Sequence, residues 1–191
     1  MQKELERINV PKDDKIVFSK ETVNVIRTTM RNNIELTAIA DNKANVLLSL
    51  NAVMIAFVVP LAISNVDVIV QYTLFIPLVI MAITCFATIY LSTLVLAPFR
   101  FDTFNKDLPA SMEPSPFFFG TAYDMSLTEY YDRLISTTND KAKTRQFISQ
   151  DLFFIGRRLG EKMALIRQSF QIFRAGIFLT LLSTALVLLL S

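Results

Sequence analysis

Three long apolar runs dominate this chain of 191 residues. The first extends from Val46 to Ile63, with Ser49 and Asn51 as its polar interruptions. The second extends over residues 68–98 without a charged side chain, and the third over residues 175–190. A helix of roughly 20 residues crosses a hydrocarbon core of about 30 Å. The runs therefore predict an all-α integral membrane protein with three transmembrane helices.

Two other interpretations of the apolar runs are weaker. A soluble helical domain with three buried helices conflicts with a hydrophobic content of 52%, which is above the usual globular balance. The first run is not expected to be a cleaved signal peptide, because about forty residues of mixed charge precede it and no small-residue cleavage site follows. Membrane insertion remains the prediction.

The distribution of basic residues predicts the orientation. All 19 Lys and Arg lie in residues 1–43 and 99–174, whereas the connector at 64–67 contains one acid and no base. Basic loops remain on the cytoplasmic side. We therefore expect a multi-pass membrane protein with its N-terminus and middle segment in the cytoplasm and its C-terminus outside.

Two of the predicted transmembrane helices continue into polar sequence. No Gly or Pro interrupts residues 19–59, where apolar side chains recur at three- and four-residue spacing. A similar pattern from Ile148 to Phe173 leads into the third run, and Ser126 and Glu129 form a capping box that opens another helix, which Asn139 and Asp140 end. We expect two long helices to continue into a cytoplasmic helical bundle and to couple it mechanically to the membrane.

The predicted organisation follows the chain in five parts. They are a loosely ordered N-terminal arm at 1–18, a long helix with the first span at 19–63, a short external connector and second span at 64–98, a cytoplasmic loop and helical bundle at 99–174, and a third span at 175–191.

Composition removes most catalytic chemistries. Histidine is absent, and the single cysteine, Cys85, lies inside the second apolar run. Imidazole or thiol catalysis and cysteine-rich metal sites are therefore not expected. Four glycines form neither a phosphate loop nor a dinucleotide fingerprint, and a net charge of +2 without a basic patch does not indicate nucleic acid. We predict no enzyme activity, no metal and no cofactor.

Polar residues at the entrance of the first span suggest a junction between the two halves. Asp41 and Lys43 are either interfacial anchors or residues that couple the cytoplasmic part to the membrane. Asn45 and Ser49, followed by Ala52 and Ala56, draw a stripe of small and polar residues down the helix. Such stripes usually pack helices closely. The alternative is a stripe that also lines a hydrated path in an oligomer, and Asn51 belongs to the same candidate set.

Two further groups have both a structural and a ligand-binding interpretation. Gly156 and Gly160 form a small-xxx-small pair that favours close helix packing. Nearby cations either meet lipid headgroups or converge on an anion, for which Arg offers paired donors. Aromatic residues after the proline-rich loop either wedge that loop into the bundle or provide a platform for a planar base. The candidate ligand-binding residues are Arg27, Arg31, Arg157, Arg158, Lys162, Phe119 and Tyr123.

Several motifs, in their order along the chain, resemble the Pycsar effector transmembrane family. They are the segment from Ala40 to Asn51 of the form A-D-x-K-A followed by apolar residues and N, the Phe117–Gly120 cluster, the Tyr130–Tyr131 helix, and the run from Asp151 to Leu159 with Lys162, Leu165 and Phe170. The resemblance covers roughly residues 20–190.

The resemblance implies an antiphage effector. In that family a cognate cyclase makes cyclic CMP or cyclic UMP, and the membrane effector responds by impairing the inner membrane. The expected partners are therefore a cyclic pyrimidine nucleotide, the lipid bilayer and further copies of the chain in a homo-oligomer. The alternative from another class is a membrane scaffold or transport-regulating subunit that binds a protein partner, and a third is a constitutive small channel.

Overall fold

The computed structural model describes residues 20–98, 113–123 and 125–190. Every regular element in these ranges is an α-helix: α1 (Lys20–Ser64), α2 (Val66–Gln71), α3 (Phe75–Leu96), α4 (Phe119–Tyr123), α5 (Leu127–Asn139) and α6 (Lys141–Leu190). Helices α1, α3 and α6 are long and apolar enough to cross a membrane. The predicted all-α fold with three such helices is confirmed, whereas the N-terminal arm and most of the loop after α3 lie outside the described residues.

The two longest helices run without a break from polar into apolar sequence. Helix α1 has 45 residues and α6 has 50, so each contains about twice the length that a membrane crossing requires. Neither helix breaks where polar sequence passes into apolar sequence, which confirms the predicted continuity. Pro60 lies in the last two turns of α1, so the hydrogen bond it removes affects only that end.

The second apolar run is divided, contrary to the prediction of one element from residue 68. A turn at Thr73, which has a φ of 54°, separates α2 from α3. Pro77 explains the position of this turn: it has no N–H to donate to the Thr73 carbonyl, and its ring would collide with that carbonyl in a continuous helix. In the first turn of α3 the same proline is tolerated, so the long helix begins at Phe75.

Short helix α5 and long helix α6 form a hairpin that closes at Asp140. The Ser126 hydroxyl accepts a hydrogen bond from the Glu129 N–H at 3.3 Å, which confirms the capping box at the start of α5. The Asp140 carboxylate accepts from the N–H groups of Ala142 and Lys143, at 2.9 and 3.2 Å, and thereby caps α6. The predicted boundary at residues 139 and 140 is confirmed.

Helices α1, α3 and α6 pack around a small apolar core near the end of α3. Its buried members are Ala40 and Ala44 of α1, Val95 of α3 and Ile166 of α6. Two alanines allow α1 to approach its neighbours closely, because no long side chain separates the helices. This core holds the three helices together at the level where polar sequence passes into apolar sequence.

Candidate functional site

An ion pair between α1 and α6 lies beside this apolar core. The Lys162 ammonium donates to the Asp41 carboxylate with an Nζ–Oδ1 distance of 2.6 Å. The Lys162 side chain is only 12% exposed and that of Asp41 36%, so the pair is shielded from water on one side. Shielding strengthens the attraction between the charges and raises the cost of losing either partner. The pair fixes α1 against α6 at this level.

A buried polar layer lies deeper between the same three helices. Asn51 of α1 donates from Nδ2 to the Leu47 carbonyl at 2.8 Å and accepts from the Thr88 hydroxyl at 3.0 Å. The Ser169 hydroxyl of α6 donates to the Thr88 carbonyl at 3.3 Å and lies 3.2 Å from that of Ser92. Hydrogen bonds between helices in an apolar surrounding give the packing a defined register.

Gly176 brings α6 into close contact with α3. A Cβ atom at this position would collide with the Thr84 side chain, so no larger residue fits without displacement. Gly156 and Gly160, which were predicted to pack helices, have no atom within 4 Å of a Cβ built on them. Among the described residues the close approach therefore occurs at Gly176 and not at Gly156 or Gly160.

The predicted stripe on α1 does not pack within the chain. Asn45, Ser49, Ala52 and Ala56 are all exposed, and the Ser49 hydroxyl donates to the Asn45 carbonyl of its own helix at 2.9 Å. The buried face of α1 carries Ala40, Ala44, Leu47 and Asn51 instead. Of the candidate residues at the entrance and along the first span, Asn51 is buried in the helix packing, Asp41 is half-buried in its ion pair with Lys162, and Lys43 is exposed.

Most of the predicted ligand-binding cations are paired with carboxylates. Arg31 forms an exposed ion pair with Glu35 at 2.9 Å. Arg157 and Arg158 both lie 3.4 Å from Glu161, one turn along α6. Arg27 is exposed, and Lys162 belongs to the junction with Asp41. An anion would therefore have to compete with Glu35 and Glu161 for these guanidinium groups.

The two aromatic candidates, Phe119 and Tyr123, are the first and last residues of α4. Tyr123 is 82% exposed at the end of α4. The backbone of Phe119 begins the same helix, and its side chain lies outside the described part of the structure. Tyr123 is accessible to a ligand.

The segment before α4 is fastened to α6 through a buried carboxylate. The Ser115 hydroxyl donates to Asp151 Oδ2 at 2.9 Å, and Gln150 Nε2 donates to the Glu113 carbonyl at 3.3 Å. Asp151 is 6% exposed and Ser115 is fully buried. Burial raises the pKa of the Asp151 carboxyl from 3.8 to about 6, although the hydrogen bond from Ser115 lowers it. Sequence reasoning missed this contact, since the proline-rich segment gives no sign of where it docks.

The second oxygen of this carboxyl lacks a partner. Asp151 Oδ1 and Gln150 Oε1 are both buried without a hydrogen bond in the described part of the chain. An unpaired buried acceptor costs free energy comparable to its lost hydration. The Asp151 contact is therefore sensitive to protonation, because a protonated carboxyl needs fewer donors than a carboxylate.

These features define a helical membrane protein with three segments that can cross a membrane. Helices α1 and α6 each extend from a polar part into one of these segments. The Asp41–Lys162 ion pair and the buried polar layer connect the helices to each other. A family model described as the Pycsar effector protein domain matches residues 25–190, and the chain belongs to that family. Membership makes the chain an antiphage defence effector, and the family is not a known catalytic one. Searches of curated proteins and of solved structures found no match.

Proposed function

We propose that this chain detects a cyclic pyrimidine nucleotide, cyclic CMP or cyclic UMP, and responds by impairing the inner membrane of the infected cell. A cognate cyclase would supply the nucleotide. The proposal rests on family membership together with one structural observation: α1 and α6 extend without interruption from polar sequence through the apolar spans. Rigid helices transmit a movement at one end to the other.

The charge pattern supports an orientation with the polar ends of α1 and α6 in the cytoplasm. The connector between α1 and α3 contains Asp67 and no basic residue, whereas Lys and Arg are frequent before each of the two long apolar segments. A nucleotide made in the cytoplasm would then reach residues 20–39 and 113–160 directly. The inner membrane is the location that this orientation requires.

Nucleotide binding would act by favouring one arrangement of the long helices over another. A ligand shifts an equilibrium only if it binds the two arrangements with different affinities. Arg27, Arg31, Arg157 and Arg158 are our candidates for the phosphodiester, and Tyr123, with Phe119, for the base. Because Arg157 and Arg158 already pair with Glu161, a phosphate that displaces this carboxylate would change contacts along α6.

Impairment of the membrane is expected to require several copies of the chain. In a single copy of the chain, the polar side chains of the three helices meet each other in a buried layer. These helices therefore do not enclose a path for solutes across the membrane. Copies assembled around an axis can, and the exposed Asn45 and Ser49 face outward where another copy can reach them.

Dye release from liposomes tests the proposal. Purified chain is reconstituted in vesicles that contain a self-quenched dye, and cyclic CMP, cyclic UMP, cyclic AMP and linear CMP are added separately. We expect release with a cyclic pyrimidine nucleotide and not with the other two compounds. Absence of release with both cyclic pyrimidine nucleotides, from protein shown to be inserted, would overturn the proposal.

The binding residues are tested separately by calorimetry. Arg157→Ala combined with Arg158→Ala should weaken nucleotide binding at least about tenfold, since a charge-assisted hydrogen bond contributes about 1.5–3 kcal/mol. Glu161→Gln is the matched control, because it removes the same ion pairs and leaves both guanidinium groups. Unchanged affinity in the double variant would place the pocket elsewhere.

One observation favours the alternative of a scaffold that binds a protein partner. Leu127, Tyr131 and Ile135 form an exposed apolar line along α5, at 85, 61 and 42% exposure. Tyr130 and Leu134, on the same side of α5, are half-buried instead. If a partner protein, and not the membrane, is the target, the wild type should release no dye with either nucleotide, and Leu127→Ser with Tyr131→Ser should abolish defence.

A further inference from the structure

The packing of α6 against α3 sets the depth of each residue in the third span. Gly176 lies against Thr84, and Ser169 lies between Thr88 and Ser92. Since the helices are antiparallel, Arg174 lies level with about Phe86, the midpoint of the 22-residue helix α3. The ends of α3 are then about 16 Å away along the helix axis in either direction.

Helix α3 fixes the position of the membrane better than the last apolar run does. A membrane centred on α3 leaves Asp67 outside the hydrocarbon and the Asp41–Lys162 pair near its inner boundary. A membrane that begins only after Arg174 would draw Asp67 and the turn at Thr73 into the hydrocarbon. It would also leave the apolar inner half of α3, including the exposed Tyr90 and Leu94, in water. Arg174 is therefore at mid-depth and not at the inner boundary.

Arg174 is one of a line of polar residues on a single face of α6. Arg167, Gln171 and Arg174 are four and three residues apart, which aligns them along the helix, and all three are exposed. Arg174 has no ion pair or hydrogen bond with any described residue. We call these three residues the α6 polar stripe. It covers the inner half of the span, from the level of the apolar core to mid-depth.

Lipid is an unsuitable surrounding for the α6 polar stripe. A charged side chain at the centre of a bilayer costs from about 3 to more than 10 kcal/mol, depending on how far it is relieved by water and headgroups. Arginine at mid-depth is about 15 Å from either headgroup region, which is too far for its side chain to span. Intramembrane arginines face a protein interior or a water-filled cavity, and the interior of this three-helix packing does not contain Arg174.

The same face becomes apolar beyond mid-depth. Phe178 and Leu181 continue the line of Arg174 at four- and seven-residue spacing and are 65 and 66% exposed. A path along this face would thus be polar from the inner side to Arg174 and apolar from there to the outer side. An apolar constriction excludes water and acts as a closed gate until it widens.

We propose that the α6 polar stripe lines a water-filled, anion-preferring path enclosed by several copies of this chain, with Phe178 and Leu181 forming its closed outer section. The inference deepens the proposed function and rests on it for the activating nucleotide. A ring of arginines attracts anions and repels cations, as charged rings do in other pores. Chloride and small organic anions are the class of permeant species.

Cysteine accessibility tests the water-filled path. In a Cys85→Ala background, Arg174→Cys and Gln171→Cys are reconstituted in vesicles and treated with a charged methanethiosulfonate reagent. Phe86→Cys is the matched control, because Phe86 lies at the depth of Arg174 on α3 and is 76% exposed. Only a hydrated thiol ionises and reacts, so we expect the stripe positions to react at least about tenfold faster than position 86. Equal rates, whether slow or fast, would overturn the proposal.

Dye release in the same vesicles separates the two proposals. Suppose that cyclic CMP or cyclic UMP releases dye from the Gln171→Cys and Arg174→Cys variants while their introduced thiols are unreactive. This result would support the proposed function and overturn the proposed water-filled path. If the thiols at both stripe positions react but neither nucleotide releases dye, the water-filled path would be supported and activation by a cyclic pyrimidine nucleotide would be overturned. If Arg174→Cys fails to insert, Gln171→Cys alone decides the first test.

Ion selectivity tests the role of Arg174. Reversal potentials are measured across planar bilayers with a potassium chloride gradient and the nucleotide that causes release. We expect wild type and Arg174→Lys to favour chloride, and Arg174→Glu to favour potassium, which inverts the sign of the reversal potential. An Arg174→Glu variant with the wild-type sign would overturn the anion preference.

Discussion

The Asp41–Lys162 pair is the residue contact best placed to link the polar part of the chain to its spans. It joins the two helices that cross from polar into apolar sequence, and it lies next to their shared apolar core. Sequence alone placed Asp41 at this junction but assigned Lys162 to an anion site, since no pattern shows which distant residue meets which. The structure therefore moves Lys162 from candidate ligand to candidate coupling residue.

Removing either charge of this pair should separate nucleotide binding from dye release. Asp41→Asn leaves the largely buried Lys162 ammonium without its partner, at a cost of about 1–3 kcal/mol in the arrangement that contains the pair. We expect release to change at least fivefold while calorimetric affinity changes less than twofold. Asp132→Asn, which removes an exposed carboxylate of α5, is the control and should change neither. A parallel loss of affinity in Asp41→Asn would contradict a coupling role.

Asp151 should make stability depend on pH. Its folded pKa of about 6 is above the ordinary value of 3.8, so the folded state binds the proton more tightly than the unfolded state. The stabilisation that protonation provides is therefore complete below about pH 4 and is lost as pH rises through about 6. We expect the free energy of unfolding in detergent to fall by about 3 kcal/mol over this interval through Asp151, since one pKa unit corresponds to about 1.4 kcal/mol.

Asp151→Asn tests the source of that dependence. The amide keeps an acceptor for the Ser115 hydroxyl and cannot ionise, so the decline between pH 4 and 7 should be reduced in the variant. Asp132→Asn, which replaces an exposed carboxylate on α5, is the control and should retain the wild-type profile. An unchanged profile in Asp151→Asn would assign the pH dependence to other groups.

At the scale of helices, length was predictable and contact faces were not. The absence of Gly and Pro over forty residues predicted α1, because an uninterrupted pattern has no stopping signal. The Pro77 break was missed, since the run around it is apolar on all sides and its periodicity does not change. The small-residue patterns at Gly156–Gly160 and Asn45–Ser49 marked plausible contact faces, but the face that α6 turns toward α3 depends on all three helices together.

Glycine substitutions on α6 test this assignment. Gly176→Ala should lower the free energy of unfolding by about 1–3 kcal/mol, because the added methyl group displaces Thr84. Gly156→Ala and Gly160→Ala meet no neighbour in the part of the chain that the structure describes and should raise helix stability by about 0.5–1 kcal/mol each. Denaturation of detergent-solubilised protein, followed by circular dichroism, measures all three. Destabilisation by Gly160→Ala at dilute protein concentration would show that the described packing omits a contact there.

At the scale of the whole molecule, α1 and α6 run without a break from the polar part into the spans, so we expect the two parts to move as a single mechanical unit. The order of elements could be predicted from hydropathy and charge because those signals are local. The residue of α6 at which the membrane begins could not be predicted from the α6 sequence alone. The last apolar run begins after Arg174 and therefore suggests that the membrane begins there. Its register against α3 is the observation from which we infer that the membrane segment starts earlier, near Ile166, and includes two arginines on an exposed face.

An insertion that breaks one long helix should interrupt transmission along this unit. Four residues, Gly-Ser-Gly-Ser, placed between Leu36 and Thr37 would end α1 before the Asp41–Lys162 pair and leave the spans intact. We expect the nucleotide to bind with less than about a threefold change in affinity and dye release to fall at least tenfold, because a flexible joint does not carry a rotation or shift. Four alanines at the same point are the matched control. The alanines keep the helix continuous but rotate the preceding segment by about 40°. Partial dye release from the alanine variant and none from the glycine variant would show that the signal requires a continuous helix. Equal release from the glycine variant and wild type would show that α6 alone carries the signal.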